Sequence, residues 1–329
     1  MKLINKDELL KYLDFNQIYS ETKDGFAKFS SGKTITPPFT VFEIPKSNGS
    51  VHFKYGYVAE SETFSFKYSG AFYENEKKGI SNFLGLFVVF NADTGEVELI
   101  IDDKGLLTDY RTGIAGALAT KTLARENSET VAVIGTGTQA RMQIKSLLKI
   151  MPNISNLNVY GRDSSKMLQY STEMKMQHPS LNVTTFDNPE EAVSNTDIIY
   201  TVTYSEKPIL KKEWIKEGTH ITAVGACGAN MQELQEELLA RADLLVVDSK
   251  EATSTHGELH HALDKGVIDE TKAVELGTVV ANGIKRKDTD ITICDLVGIG
   301  FQDAVIGNCV YKKVLERLEN RGHVCLRDF

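Results

Sequence analysis

Apolar positions along the chain fall into two regimes. Up to about residue 90, short apolar and aromatic runs at 41–44, 51–55, 64–68 and 84–90 read as strands, and Phe64-Ser-Phe-Lys-Tyr68 alternates as a half-buried strand does. Thr36-Pro-Pro38 breaks the chain, and Ser47-Asn-Gly49 marks a turn between the first two runs. Ala92-Asp-Thr-Gly95 joins 84–90 to 97–101 as a hairpin. Strands in succession without helical spacers predict an antiparallel sheet. From Thr130 the pattern changes. β-Branched runs at 131–134, 157–160, 181–186, 197–202, 220–224 and 244–248 alternate with helical stretches, among them 139–150 and 164–177. That alternation predicts an α/β fold, a doubly wound parallel sheet with helices on both faces. A helix at 111–125 bridges the regimes. Its Gly113, Ala115, Gly116, Ala117 and Ala119 allow close packing, and its low intrinsic helicity requires tertiary contacts. The chain closes with a strand at 290–294, a Gly298-Ile-Gly300 turn and a helix at 302–318. Val310, Val314 and Leu318 stripe that helix, and Gly322 is its candidate stop.

Composition narrows the partners. Of 329 residues 41% are hydrophobic and 25% charged, and the net charge of -8 argues against nucleic acid or an anionic membrane surface. The start of the chain lacks the apolar stretch of a signal peptide. It reads as a capped helix, with Asn5 as N-cap and Glu8 three residues on. No apolar run approaches membrane-spanning length. Cys227, Cys294, Cys309 and Cys325 are scattered without a C-x-x-C, which points to free thiols and a cytoplasmic protein.

Candidate chemistry begins at the first strand of the second regime. Val131-Ala-Val-Ile134 runs into Gly135-Thr-Gly137-Thr-Gln-Ala140 and then a helix. Strand, G-x-G-x-x-A and helix in that order form the dinucleotide-binding fingerprint in its required context. Gly135 permits the turn, Gly137 lets a pyrophosphate approach the backbone, and Ala140 packs helix on strand. The anion would rest on the helix N-terminus. No Gly-Lys-Ser/Thr follows, so this is no P-loop. At the end of the next strand stands Gly161-Arg162-Asp163-Ser-Ser165. Arg162 and the two hydroxyls suit a 2′-phosphate, so NADP(H) is favoured. Asp163 keeps NAD(H) open, because a small loop shift would bring it to the ribose.

With Leu107-Thr-Asp-Tyr-Arg111-Thr112-Gly-Ile-Ala-Gly-Ala-Leu-Ala119 ahead of Gly-Thr-Gly-Thr-Gln-Ala, the chain resembles the ornithine cyclodeaminase/mu-crystallin family. The pair of motifs is far more specific than either half. The resemblance extends to Phe66-Lys67, 197–203, Val224-Gly-Ala226 and the Gly300 to Asp303 segment. It implies a homodimer with a Rossmann dinucleotide-binding domain, here 119–301, and an α+β substrate-binding and dimerisation domain, here 1–118 with 302–329. It implies a small α-amino or α-imino acid substrate and a nicotinamide cofactor. By the same match Lys67 and Arg111 hold the substrate carboxylate, and Thr112, Thr138, Gln139 and Thr203 are cofactor neighbours, as is Val224 on its strand end. Two of these residues have a physical reason of their own to bind an anion. Arg111 is expected to open the small-residue helix, so that guanidinium and helix N-terminus form one anion site. Lys67 lies in a half-buried strand and needs an anionic partner or an open edge.

Two departures from the family pattern matter. Cyclodeaminases and archaeal alanine dehydrogenases carry an Asp shortly after Val-Gly, where this chain has Cys227. A thiol poorly replaces a carboxylate that handles the substrate amine, so the expected reaction is reduction of a preformed cyclic imine, such as Δ1-pyrroline-2-carboxylate or Δ1-piperideine-2-carboxylate. Ornithine cyclodeaminase, alanine dehydrogenase and a mu-crystallin-like binding protein are the alternatives. Cys227 either lines the nicotinamide pocket in a catalytic role or is a small buried hydrophobe beside it. In the second departure, Phe39 follows the prolines where the family often has Arg. His52 and Lys54, which share a strand face, are candidate replacements in substrate binding, with His52 a possible proton donor. His256 and His260 would share a helix face, but there is no H-E-x-x-H and no metal site is assigned.

Overall fold

The computed structural model describes residues 1–320. Gly322 and Cys325 lie outside the described residues. β1 (Lys2–Asn5) leads into one turn of helix, α1 (Lys6–Leu9), and the Asn5 side chain accepts the Glu8 N–H at 2.9 Å, which is the expected cap. The first regime is not free of helices. α2 (Phe15–Ser30) follows, capped by Asp14 accepting from the Gln17 N–H and burying Phe15, Ile18, Thr22 and Phe26 along one stripe. Then come β2 (Thr34–Ile35), β3 (Thr40–Ile44), β4 (Gly49–Val58), β5 (Thr63–Phe72), β6 (Phe83–Asn91) and β7 (Val97–Asp102). They form a sheet of order β1-β7-β6-β5-β4-β2 with β3 also on β4. All its pairings are antiparallel except β1 with β7. The β4/β5 register sets Lys54 opposite Lys67 and His52 opposite Ser69, so these side chains share one face.

The bridging helix, α3 (Leu106–Leu123), begins before Arg111. The Asp103 carboxylate accepts the Leu107 N–H at 2.8 Å and occupies the helix start, so Arg111 sits inside the helix rather than at its N-terminus. α3 passes from one compact unit, Met1–Arg111 with the chain from Ile299, into the other, Thr112–Gly298.

The second unit is the parallel sheet. In chain order it contains β8 (Thr130–Ile134), α4 (Thr138–Ile150), β9 (Asn156–Tyr160), α5 (Ser164–Gln177), β10 (Asn182–Thr185), α6 (Pro189–Val193), β11 (Ile198–Thr201), β12 (Glu206–Leu210), β13 (His220–Ala223), β14 (Gln232–Leu234), α7 (Glu236–Arg241), β15 (Leu244–Val247), α8 (Lys250–Thr253), α9 (Gly257–Asp264), β16 (Ala273–Glu275), α10 (Leu276–Asn282) and β17 (Thr292–Asp295). The main sheet runs β10-β9-β8-β11-β13-β17-β15-β16, and β12 with β14 makes a small separate pair. Alternate residues of β8 show why it is covered on both faces. Val131 and Val133 pack with Ile144, Leu147 and Tyr170, while Ala132 and Ile134 pack with Ile221, Leu245 and Leu259. The strand order reverses at β8, between β9 and β11, where ligands of such sheets bind.

α11 (Gly300–Glu319) returns to the first unit and lies against β4 and β5. From Gly300 to Tyr311 every residue is buried. Gly300 lies so close to the Tyr55 carbonyl that a Cβ would stand 2.0 Å from its oxygen. Among the described residues no helix is long and apolar enough to cross a membrane.

Candidate active site

In the second unit the Gly-rich turn has the geometry of an anion cradle. Gly135 takes φ +118°, and a Cβ there would lie 2.9 Å from the Val202 oxygen. At Gly137 a Cβ would meet nothing within 4 Å, so the space a phosphate needs is open. Gly137 is also the N-cap of α4, and no side chain caps that terminus. Arg141 braces the turn from behind, donating to the carbonyls of Thr136 at 2.7 Å and Gly137 at 3.1 Å. Ala140, in the first turn of α4, is fully buried, as expected. The small residues of α3 meet α4 itself. A Cβ at Gly113 would stand 2.8 Å from the Met142 oxygen, and one at Gly116 would collide with Gln143 at 1.9 Å. Gln143 in turn donates to the Thr112 carbonyl at 3.0 Å and to Gln139 at 3.3 Å. These residues fit a dinucleotide pyrophosphate: an open cradle, a bare helix N-terminus and a braced backbone.

At the end of β9, Arg162 is exposed and makes no ion pair among the described residues. Asp163 is already engaged. Its carboxylate caps α5, accepting from the Ser165 N–H at 2.9 Å and the Lys166 N–H at 3.0 Å. Thr203 and Val224 follow β11 and β13 at their C-terminal ends, and Cys227 lies just beyond. Cys227 is exposed, so its reading as a small buried hydrophobe does not hold.

In the first unit the ionic residues converge. Lys67, 1% exposed, meets both oxygens of Asp303, at 3.1 and 3.0 Å. The Arg111 Nε lies 3.2 Å from Asp303, and its terminal nitrogen donates to Gln302 at 3.0 Å. Gln302 also accepts the Ile299 N–H at 3.1 Å, which fixes the side chain at the head of α11. Lys54, 7% exposed, rests 4.5 Å over the Phe39 ring. The aromatic that stands where the family often has a cation thus stacks on a cation from the neighbouring strand. His52 is half-buried and bonded to Ser50 at 2.8 Å.

The electrostatics follow. Burial drives the Lys67 pKa down, Asp303 pulls it up, and Arg111 and Lys54 push it down again, leaving it at about 7. Burial works to raise Asp303, but Lys67, Arg111 and Lys54 hold it below the usual carboxylate range. Asp103 is raised by burial, against hydrogen bonds from the Leu107 and Gly105 backbone and the charge of Lys67. Three buried cations therefore face Asp303, a surplus of positive charge suited to one more carboxylate.

Asp303 and Gln302 escaped the sequence reading as site residues, although a signal existed. Asp303 is the lone charge between Gly300 and Tyr311, and a lone acid in a fully buried helical stretch needs a cation. His256 is the N-cap residue of α9, and His260 lies 3.1 Å from the Ser254 carbonyl and 3.5 Å from Asp264. Glu258, between them, is buried on the backbone N–H groups of Glu233 and Leu234.

An open glycine turn on a doubly wound sheet and a cluster of buried cations on an antiparallel sheet are the two features a dinucleotide-dependent enzyme for small anionic substrates needs. The profile of the ornithine cyclodeaminase/mu-crystallin family matches residues 3–317, and the chain belongs to that family. An uncharacterized cyclodeaminase of Sinorhizobium fredii is 35% identical over 96% of this chain and 97% of its own length. The Δ1-pyrroline-2-carboxylate reductase of Thermococcus litoralis, solved with NADH and L-proline, is 31% identical, covers 96% of this chain and 98% of its own, and superposes with a TM-score of 0.89. An archaeal alanine dehydrogenase, solved as a dimer with bound NAD, is 29% identical, covers 96% of each chain and has a TM-score of 0.88.

Proposed function

We propose that this protein is an NAD(P)H-dependent reductase of a small cyclic α-imino acid, Δ1-pyrroline-2-carboxylate or Δ1-piperideine-2-carboxylate, forming L-proline or L-pipecolate. It is an oxidoreductase acting on a C=N bond. The observation that carries the reading is the convergence of Lys54, Lys67 and Arg111 on Asp303. The substrate carboxylate neutralises the surplus charge and is gripped by Arg111 and Lys67, with Lys54 as a third contact. Lys67, with a pKa of about 7, gives up a proton to the ring nitrogen near neutral pH. The dinucleotide, when bound, supplies the hydride that the imine carbon receives. Gly135, Gly137, Thr138, Gln139 and Ala140 would hold its pyrophosphate, and Thr112, Thr203, Val224 and Cys227 its nicotinamide half. Cys227 offers no carboxylate for an amine, which supports imine reduction over deamination.

NADP(H) is the preferred cofactor. Arg162 is available for a 2′-phosphate, whereas Asp163 is held by the cap of α5. The working form is a homodimer. The face of the antiparallel sheet opposite Lys67 carries half-buried aromatics in a stacked ladder, with Phe53 and Phe66 5.3 Å apart and Phe64 and Phe90 4.8 Å apart. A groove of about 430 Å³ lies there, lined mainly by aromatic and aliphatic residues, Ile35, Pro37, Tyr55, Tyr57 and Phe64 among them. A second copy of the chain is the occupant that such a face fits, and the archaeal alanine dehydrogenase is a dimer.

The test follows 340 nm absorbance with NADPH, and separately NADH, after addition of Δ1-pyrroline-2-carboxylate. Rapid oxidation that is lost in Lys67→Ala and Arg111→Ala, with Arg162→Ala weakening NADPH alone, supports the reading. Release of ammonia and proline from ornithine with NAD would replace it with a cyclodeaminase. Tight NADPH binding without turnover of any imine would replace it with a binding protein.

A further inference from the structure

We infer that Glu233 is a positioning residue for the dinucleotide, clamping the two loops that follow β11 and β13; the inference rests on the proposed cofactor site. β14, which carries Glu233, pairs with β12 and not with the main sheet. From there one carboxylate reaches both loops. One oxygen accepts from the Thr203 N–H and, at 2.7 Å, from the Thr203 hydroxyl, while the other accepts the Gly225 N–H at 2.9 Å. The ladder between β11 and β13 ends at Thr201 and Ala223, so these loops lie beyond its last pair. Gly225 belongs to the device, because a Cβ there would stand 2.4 Å from Glu233 and 2.3 Å from the Thr203 oxygen.

The clamp is itself held in place. The Glu258 carboxylate on α9 accepts the Glu233 N–H at 2.8 Å and the Leu234 N–H at 3.0 Å, fixing β14. Asp295, at the end of β17, accepts the Leu259 N–H at 2.9 Å and so fixes α9. A fully buried carboxylate is costly, and an apolar side chain would fill this space at lower cost. What the carboxylate adds is three directed contacts on two loops at the edge of the sheet where ligands bind. Burial pushes Glu233 up to about 7 against the pull of those donors, and Glu258 and Asp295 are raised too.

The test is dinucleotide affinity of the full chain, read from reduced-nicotinamide fluorescence with NADH and NADPH, beside thermal stability. Glu233→Gln places an amide N–H against donor groups. It should raise the dinucleotide Kd by about tenfold or more, the equivalent of one net hydrogen bond lost, while the KM for the imino acid at saturating dinucleotide changes less than about twofold. Glu233→Asp keeps the charge, shortens the reach, and should fall between wild type and Glu233→Gln. Glu258→Gln loosens β14 without removing the Glu233 carboxylate, so it should lower Tm and raise the Kd by clearly less than Glu233→Gln does. Folded Glu233→Gln or Glu233→Asp with wild-type Kd would overturn the inference, as would an equal loss of affinity in Glu258→Gln. Wild-type protein that binds neither dinucleotide would instead overturn the proposed function and, with it, this clamp.

Discussion

Lys54 and Lys67 stand directly opposite each other across β4 and β5, two lysines sharing one face of an antiparallel pair. Like charges in that position repel. The pair persists because Asp303 faces both and Phe39 lies under Lys54. The arrangement holds the Lys67 pKa at about 7, and the first expected outcome of the proposed proton transfer concerns pH. With a pKa of about 7, Lys67 is protonated below that value and loses its proton above it. As the proton donor it should give a kcat/KM for the imine that is level on the acid side and falls as pH rises through about 7. Lys67→Arg keeps the charge but holds its proton too tightly to release it, so kcat should fall at every pH and the alkaline fall through about 7 should disappear. A wild-type profile that stays flat well above neutrality would remove Lys67 from the proton-transfer role.

Asp303→Asn should act on both stability and pH dependence. It leaves Lys67, Arg111 and Lys54 buried without their common carboxylate, a loss of about 3–5 kcal/mol by the cost of breaking a buried pair, measurable by urea unfolding. Asp303 raises the Lys67 pKa, so in the surviving protein the alkaline limb should move to lower pH. A limb that stays in place would show that Asp303 does not govern Lys67.

Gly135 and Gly137 should separate folding from binding. Gly135→Ala forces a side chain into φ +118° and onto the Val202 carbonyl, so it should lower stability by about 1–3 kcal/mol. Gly137→Val enters open space and should leave Tm nearly unchanged while weakening the dinucleotide by tenfold or more, roughly a net hydrogen bond or above. Calorimetry and fluorescence titration on the two variants check this. Unchanged affinity in Gly137→Val would argue against a pyrophosphate at the turn.

Charge placed on the aromatic face of the antiparallel sheet should split the proposed dimer. Phe66 stacks on Phe53 and Tyr55 and lines the apolar groove. Phe66→Glu should shift sedimentation from dimer to monomer at micromolar concentration. A wild-type protein that sediments as a monomer would refute the assembly directly.

Period and turn chemistry made much of the fold legible. The hairpin around Ala92 to Gly95, the glycine turn and the helix Ser164–Gln177 could be read because each is specified by neighbouring residues. The start of α3 could not be read as easily. Arg111 looked like a first-turn residue, and only the fold reveals that Asp103, at the end of β7, supplies the cap. Lys67 and Arg111 were legible as cations needing an anion. The pairing with Asp303 was not, because the contact spans 236 positions of chain and leaves no local periodicity, although a lone acid in a buried helical stretch was itself a signal. Glu233 was hidden for the same reason: its chemistry lies in loops 30 and 8 residues away.

That long separation has a consequence for how the protein is made. α11 completes the core beneath β4 and β5, yet along the chain it follows the whole of the other unit. The unit Thr112–Gly298 contains its own sheet and core and can close while the chain is still growing. The earlier unit must wait, with Lys54, Lys67 and Arg111 lacking their acid and the buried face of its sheet uncovered, until Asp303 emerges. The split unit is therefore the later of the two to finish folding, with its cluster of buried charges as the closing step.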